Sequence, residues 1–193
     1  MLGIFGALST ILYFIKFPLP IFVSFLKIQF SNIPVLLGSF MFGPLEGIVV
    51  ALIRTMIKLP FSDTLCVGEL QDLIISIAIS CITGIIYKKN RTKKNAIISL
   101  VLASIAWVFI SVVSNAFITI PLYIKFMFNG NDQVLIDAIS VVIKNVNKEN
   151  YMIKYLMLSC LPFNALLSVL VSLITFLIYK RTSNLYKNKI DAD

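Results

Sequence analysis

The residues able to bind or transform a ligand are few, and they gather near one end of the hydrophobic segments that carry them. Glu69 and Asp72, in "VGELQDL", stand three apart and so share a helical face. Asn115 lies six residues before Pro121 in "VVSNAFITIP", and Asn164 lies six residues after Leu158 in "LSCLPFNALL". With a rise of about 1.5 Å per residue, each asparagine sits about 9 Å below the same end of its helix. A fourth group precedes them: from Leu26 to Asn32, Lys27, Gln29 and Ser31 alternate with Ile28 and Phe30, the period of an extended, half-buried ribbon. The inner halves of the apolar spans carry only hydroxyls and small residues, among them Thr83, Ser99, Ser104, Ser172 and Thr175. Polar groups inside a membrane domain cost several kcal/mol unless paired or solvated. Their concentration at one end therefore predicts a cavity open to the outside, floored by apolar helices and capped by the ribbon. No polar track continues inward, so the expectation is a binding site and not a pore.

Each of these groups also has a purely structural reading. Glu69 and Asp72 are favoured in interfacial water at a helix N-terminus, Asn115 and Asn164 can bond neighbouring helices, and Lys27 can be a solvated loop charge. Catalysis finds little support. The chain has no His, and Cys66, Cys81 and Cys160 have no metal-like spacing. No HExxH motif, Ser/His pairing or carboxylate-rich cluster is present. Neither an enzyme nor a metal or cofactor is expected. The sequence shows no ionisable residue in the middle of a span, which argues against a stand-alone channel or proton-coupled carrier.

The elements that must position these residues follow from composition. Of 193 residues, 59% are hydrophobic and 13% charged, with a mean hydropathy of +0.94, whereas soluble domains carry about 25% charged residues. The fold class is therefore all-α: a polytopic membrane protein forming one domain over residues 1–193. Helix 1 is expected from Met1 to Ile15, ended by Lys16-Phe17-Pro18, with Pro18 and Pro20 holding the chain extended. It lacks the positive region of a cleaved leader and reads as a retained helix. Residues 35–58 form either one kinked span or two short helices broken at Gly43-Pro44. Further helices are expected over Val67 to Tyr87, Ala96 to Pro121 and Leu158 to Tyr179. In the outside loop 125–157, "DQVLIDAISVVIKNV" places Asp137, Ser140 and Lys144 on one face, predicting a short helix at the membrane interface.

Net charge is +8, and five of 17 basic residues fall in "KKNRTKK", Lys88 to Lys94. Lys180, Arg181, Lys187 and Lys189 lie in the tail. Short basic segments flanking apolar spans belong on the cytoplasmic side, which leaves nucleic acid a poor partner. Two short helices in 35–58 give six segments with both ends inside; one kinked span gives five with the N-terminus outside. In helix 1, Gly3 and Ala7 form a small-xxx-small pair, extended by Gly6, Ser9 and Thr10. Such a surface admits close helix approach, within the protein or from a partner subunit.

Taken together, "FPLP", "LKIQFSNIPVLLGSFMFGPLEGIVVALI", "VGEL", "SNAFITIPLY" and "LPFNALLSVLVSLITFLIYKR" resemble the riboflavin-binding S component of energy-coupling factor (ECF) transporters. The blocks occur in that family's order and cover most of the chain, least well over 125–157. The resemblance implies six helices, both termini cytoplasmic and a cytoplasmic tail over about 181–193, in a multi-pass protein of the cell membrane. It implies a vitamin, riboflavin, held near the outer face by Gln29, Phe30, Ser31, Gly68, Glu69, Asn115, Asn164 and Leu167. It also implies a transmembrane coupling subunit, met through Gly3 and Ala7, and two ATPase subunits. The chain departs from the family pattern in three places. Gln29 and Asn32 stand where aspartates are usual, Leu167 where a lysine is frequent, and Gln71-Asp72 where Ala-Asn is commoner. These departures leave another vitamin or precursor as the alternative ligand.

Overall fold

The structure is a computed structural model that describes residues 1–190, with side chains through Arg181. Of the expected tail, 191–193 and the side chains of Lys187 and Lys189 lie outside the described residues. Helix α1 (Leu2–Phe14) leads into a two-stranded antiparallel hairpin, β1 (Phe17–Pro18) and β2 (Lys27–Ile28), with Phe17 opposite Ile28. Then follow α2 (Asn32–Met41), α3 (Pro44–Lys58), α4 (Val67–Lys89), α5 (Lys93–Met127), a short α6 (Gln133–Ser140) and α7 (Tyr151–Arg181, its backbone helical to Ile190). By length and composition α4, α5 and α7 can each cross a membrane.

The ambiguous segment is two helices. Gly43 has φ of 131°, a conformation open to glycine, and Pro44 starts α3, where a missing N–H costs nothing. The ribbon is shorter than its alternation predicts. Extended pairing stops at Ile28 and Asn32 already opens α2, whose Pro34 lies in the first turn.

Both long partner helices run further than expected, for one reason. Pro121 does not end α5, because π-helical turns at Asn115–Thr119 and Tyr123–Met127 absorb the missing backbone bond. Pro162 is likewise preceded by a π turn at Leu156–Cys160, so α7 begins at Tyr151 and not near 158.

Two hydrophobic cores result. The larger packs Leu36 and Phe40 of α2, Ile75 and Ile79 of α4, Leu100 and Trp107 of α5, and Phe163, Leu167 and Val171 of α7. The smaller joins Val23 of the hairpin to Ile120, Tyr123 and Tyr155. Helix α6 shows the predicted exposed face of Asp137 and Ser140, with Lys144 just beyond it. Its apolar face is not presented to lipid: Leu135, Ile136 and Ile139 are buried in this smaller core.

Candidate functional site

A cavity of about 350 Å³ lies where the hairpin, the 59–66 loop and the adjoining ends of α4, α5 and α7 converge. That volume is within the range of small-molecule sites, about 300–1,000 Å³. Tyr13, Lys27 and Gln29 reach it from the N-terminal side; Gly68, Glu69, Asp72 and Ile75 from α4; Trp107, Asn115 and Tyr123 from α5; and Tyr155, Phe163, Asn164 and Leu167 from α7. The combination is a set of apolar and aromatic walls with a few polar groups.

Of the candidates, Gln29, Gly68, Glu69, Asn115, Asn164 and Leu167 line the cavity. Phe30 and Ser31 do not. In a continued strand Ser31 would share the face of Lys27 and Gln29 and Phe30 the opposite one, but extended pairing ends at Ile28. Phe30 packs half-buried against the larger core, and Ser31 is fully buried beneath the floor, where it contacts Gln29 and Arg54.

The asparagines join their helices and face the cavity at once. Tyr155 Oη donates to Asn115 Oδ1 at 2.8 Å, and Asn115 Nδ2 donates to the Ser111 carbonyl at 2.8 Å. Trp107 Nε1 donates to Asn164 Oδ1 at 3.1 Å, and Asn164 Nδ2 donates to the Cys160 carbonyl at 2.8 Å. A carboxamide offers two N–H groups and two oxygen lone pairs. Asn164 Nδ2 also lies 3.6 Å from Cys160 Sγ, so Asn115 keeps one donor and one acceptor site beyond these bonds while Asn164 keeps an acceptor site, and each is fixed in orientation by an aromatic neighbour.

The carboxylates are not in interfacial water. Glu69 is 2% exposed, and its Oε2 accepts from Ser62 Oγ at 2.6 Å and Thr64 Oγ1 at 2.9 Å. The 59–66 loop closes over it with Leu65 and Cys66 in the left-handed region, at φ of 49° and 68°. A Cβ on Gly68 would come within 2.9 Å of Thr64 Oγ1, so the glycine admits the same loop. Asp72 accepts from Gln29 Nε2 at 2.6 Å, tying the ribbon to α4. At the rim, Asp63 takes Lys16 Nζ on Oδ1 at 2.6 Å and Lys27 Nζ on Oδ2 at 3.0 Å. Partial burial pushes the Asp63 carboxyl up, but the bonds to Lys16 and Lys27 outweigh it and hold the group below its usual range. Lys27 is thus a paired charge at the cavity and not a free loop charge.

Sequence reasoning missed Arg54. The expectation that the spans lack an interior ionisable residue fails here: Arg54, on α3, is 0% exposed. Its Nη1 donates to Ser31 Oγ at 2.7 Å and Asn32 Oδ1 at 3.0 Å, and its Nη2 to Ser76 Oγ at 2.8 Å. The signal was present as a lone arginine inside "VVALIRTMI", a pattern that marks a functional candidate in a membrane domain. Its presence near the edge of an ambiguous helix concealed it. Of the five positions that depart from the resembled pattern, Asn32 bonds Arg54 directly, Gln29 and Asp72 bond each other, and Gln71 and Leu167 line the cavity.

Comparison with known proteins follows the same direction. The family model for "ECF transporter, substrate-specific component" matches residues 1–179. The chain is 30% identical over 186 residues to the riboflavin transporter RibU of Staphylococcus aureus (strain TCH60), covering 96% of this chain and 90% of that one. It is 31% identical over 185 residues to RibU of Lactococcus lactis subsp. cremoris (strain NZ9000), covering 92% and 89%. The riboflavin transporter FmnP of Bacillus subtilis (strain 168) is 23% identical over 184 residues, covering 93% and 88%. Among solved structures, one described as the S component of a bacterial ECF transporter superposes with a TM-score of 0.76 at 27% identity, covering 96% of this chain and 95% of that one.

Proposed function

The chain belongs to the family of ECF transporter substrate-specific components, and from that premise we propose that it is the riboflavin-binding subunit of a vitamin importer. Its chemistry is binding and release; the family is not one of enzymes. The single observation that carries the riboflavin reading is the cavity itself. In this reading a planar heteroaromatic ligand lies against Trp107, Phe163, Ile75 and Leu167 of the cavity wall, with the spare donor and acceptor of Asn115 and the spare acceptor of Asn164 at its polar edge. Gln29, Gly68 and Glu69 complete the wall, while Phe30 and Ser31 act behind it.

In this reading residues 1–193 form one membrane domain. Six helices, α1 to α5 and α7, cross or enter the bilayer, the cavity faces outside, and both termini and the basic 88–94 turn are cytoplasmic. Release to the inside depends on a transmembrane coupling subunit and two ATPase subunits. Gly3 and Ala7 support a contact of that kind. Both are exposed on α1, and a Cβ on Gly3 would meet nothing within 4 Å. Gly6, Ser9 and Thr10 are buried on the opposite side, where they pack within the protein.

Fluorescence titration of the purified protein with riboflavin tests the assignment. Saturable quenching at micromolar ligand or below is expected. No quenching overturns riboflavin as ligand, and mass spectrometry of small molecules released from the protein would then identify the vitamin that replaces it.

A further inference from the structure

Arg54 is a fully buried cation without a carboxylate in contact. The ion pairs among the described residues involve Lys16, Lys27 and Lys148. A buried charge left uncompensated costs several kcal/mol, so the surrounding dipoles and the nearest acid must balance it. Its guanidinium can only donate. Ser31 Oγ, 2.7 Å from Nη1, must therefore accept, and its own proton goes to Gln29 Oε1 at 2.5 Å. That bond turns the Gln29 carboxamide so that Nε2 faces Asp72 Oδ2 at 2.6 Å. Three hydrogen bonds thus run in one direction, from the Arg54 cation through Ser31 and Gln29 to the Asp72 anion. A second branch closes the ring. Ser76 Oγ accepts from Nη2 and lies 2.7 Å from Asn32 Oδ1 and 2.6 Å from the Asp72 carbonyl. The ring of Tyr13 lies 5.1 Å from the guanidinium and faces the cation.

Only the far end of this chain, Gln29 and Asp72, touches the cavity. We infer that Arg54 is a positioning residue for the ligand. It orders the Gln29–Asp72 contact, which holds the ribbon against α4 at the cavity floor, and it requires one negative charge across that contact, on either partner. This role rests on the riboflavin reading above.

The requirement separates three variants. Gln29→Glu alone sets two carboxylates against each other where one hydrogen bond stood. Asp72→Asn alone leaves Arg54 without its balancing anion. Combining the two restores one acid and one amide with the bond reversed, and Ser31 still finds an acceptor at position 29. All the changes are at the cavity surface, so none replaces the buried arginine.

The experiment is riboflavin dissociation from monodisperse full-length protein, followed by recovery of flavin fluorescence well below each variant's unfolding midpoint. Each single variant is expected to release riboflavin about tenfold faster, and the combined variant to return within about threefold of wild type, a coupling of ordinary size for contacting residues. Gln29→Ala, which removes the contact without adding charge, is expected to speed release as well. A purely structural role would lower the unfolding midpoints and leave dissociation from the folded protein unchanged; that result overturns the inference. So does a combined variant no better than the worse single one. Wild-type protein that fails to quench riboflavin overturns the riboflavin reading and this role together, whereas a quenching wild type without rescue overturns this role alone.

Discussion

Trp107 gives its indole N–H to Oδ1 of Asn164 across 3.1 Å, and in doing so bonds α5 to α7 at the wall of the cavity. One layer away Tyr155 makes the reciprocal bond from α7 to Asn115 on α5. Interhelical glue and ligand recognition are usually weighed as alternatives for an asparagine in a membrane helix. Here each aromatic donor takes one lone pair and leaves the carboxamide oriented, with capacity to spare. The same bond that joins the helices preorganises the site.

Trp107→Phe is therefore expected to act on both stability and binding. It leaves the Asn164 oxygen short of a partner at a buried position, a loss of about 1–3 kcal/mol. A lower unfolding midpoint and riboflavin affinity reduced by several-fold are expected, read by thermal unfolding and fluorescence titration. Asn164→Ala removes the cavity-facing amide itself and should weaken binding more than Trp107→Phe does.

The rim carries a pH dependence. The Asp63 carboxyl is held below its ordinary range by Lys16 and Lys27. A depressed carboxyl contributes stability that is complete above the ordinary aspartate value and lost as pH falls through the folded one. The difference in unfolding midpoint between wild type and Asp63→Asn should thus be constant from neutral pH down to about pH 5 and shrink below about pH 4. Because these side chains are partly exposed, at 44% for Asp63, the contribution should stay below about 1 kcal/mol and fall with added salt.

What could be read in the sequence was whatever depends on local period and on single residues. The break at Gly43-Pro44, the polar face of α6 and the clustering of Gln29, Glu69, Asn115 and Asn164 at one end all follow from spacing. What escaped depends on long-range partners. Pro121 and Pro162 look like helix ends until the π turns beside them are seen, and those turns are not encoded in any short motif. Ser31 belongs by alternation to a ligand-facing ribbon, yet a guanidinium 23 positions later in sequence draws it inward. Arg54 itself had no visible partner in the sequence, because its partners come from the ribbon, the start of α2 and the middle of α4.

Helix packing near the α2–α3 break sets a third expectation. An added Cβ at Gly84 on α4 would lie 2.5 Å from Pro44 N, a backbone atom that cannot step aside without moving α3. Gly84→Ala should destabilise the protein by about 1–3 kcal/mol, as overpacking does. Gly3→Ala, in helix α1 where a Cβ meets nothing within 4 Å, is the matched control and should leave the unfolding midpoint the same or slightly higher, since Ala is the better helix former.

The outward face of α1 yields the last. Gly3 and Ala7 are exposed there beside Ile4, Leu8 and Ile11, which are 69%, 45% and 58% exposed, so the stripe is apolar, shallow and unfilled by this chain. Small residues at a spacing of four let a second helix come close, and a larger side chain at either position removes that approach. Neither residue touches the cavity, which is built from the hairpin onward and from the far end of α1 at Tyr13. Gly3→Leu and Ala7→Leu should therefore leave riboflavin quenching as in wild type and sharply reduce co-purification with a coupling subunit and its ATPases. Retention of the complex by both variants would move the docking surface to another helix, and parallel loss of riboflavin binding would show that α1 shapes the cavity instead.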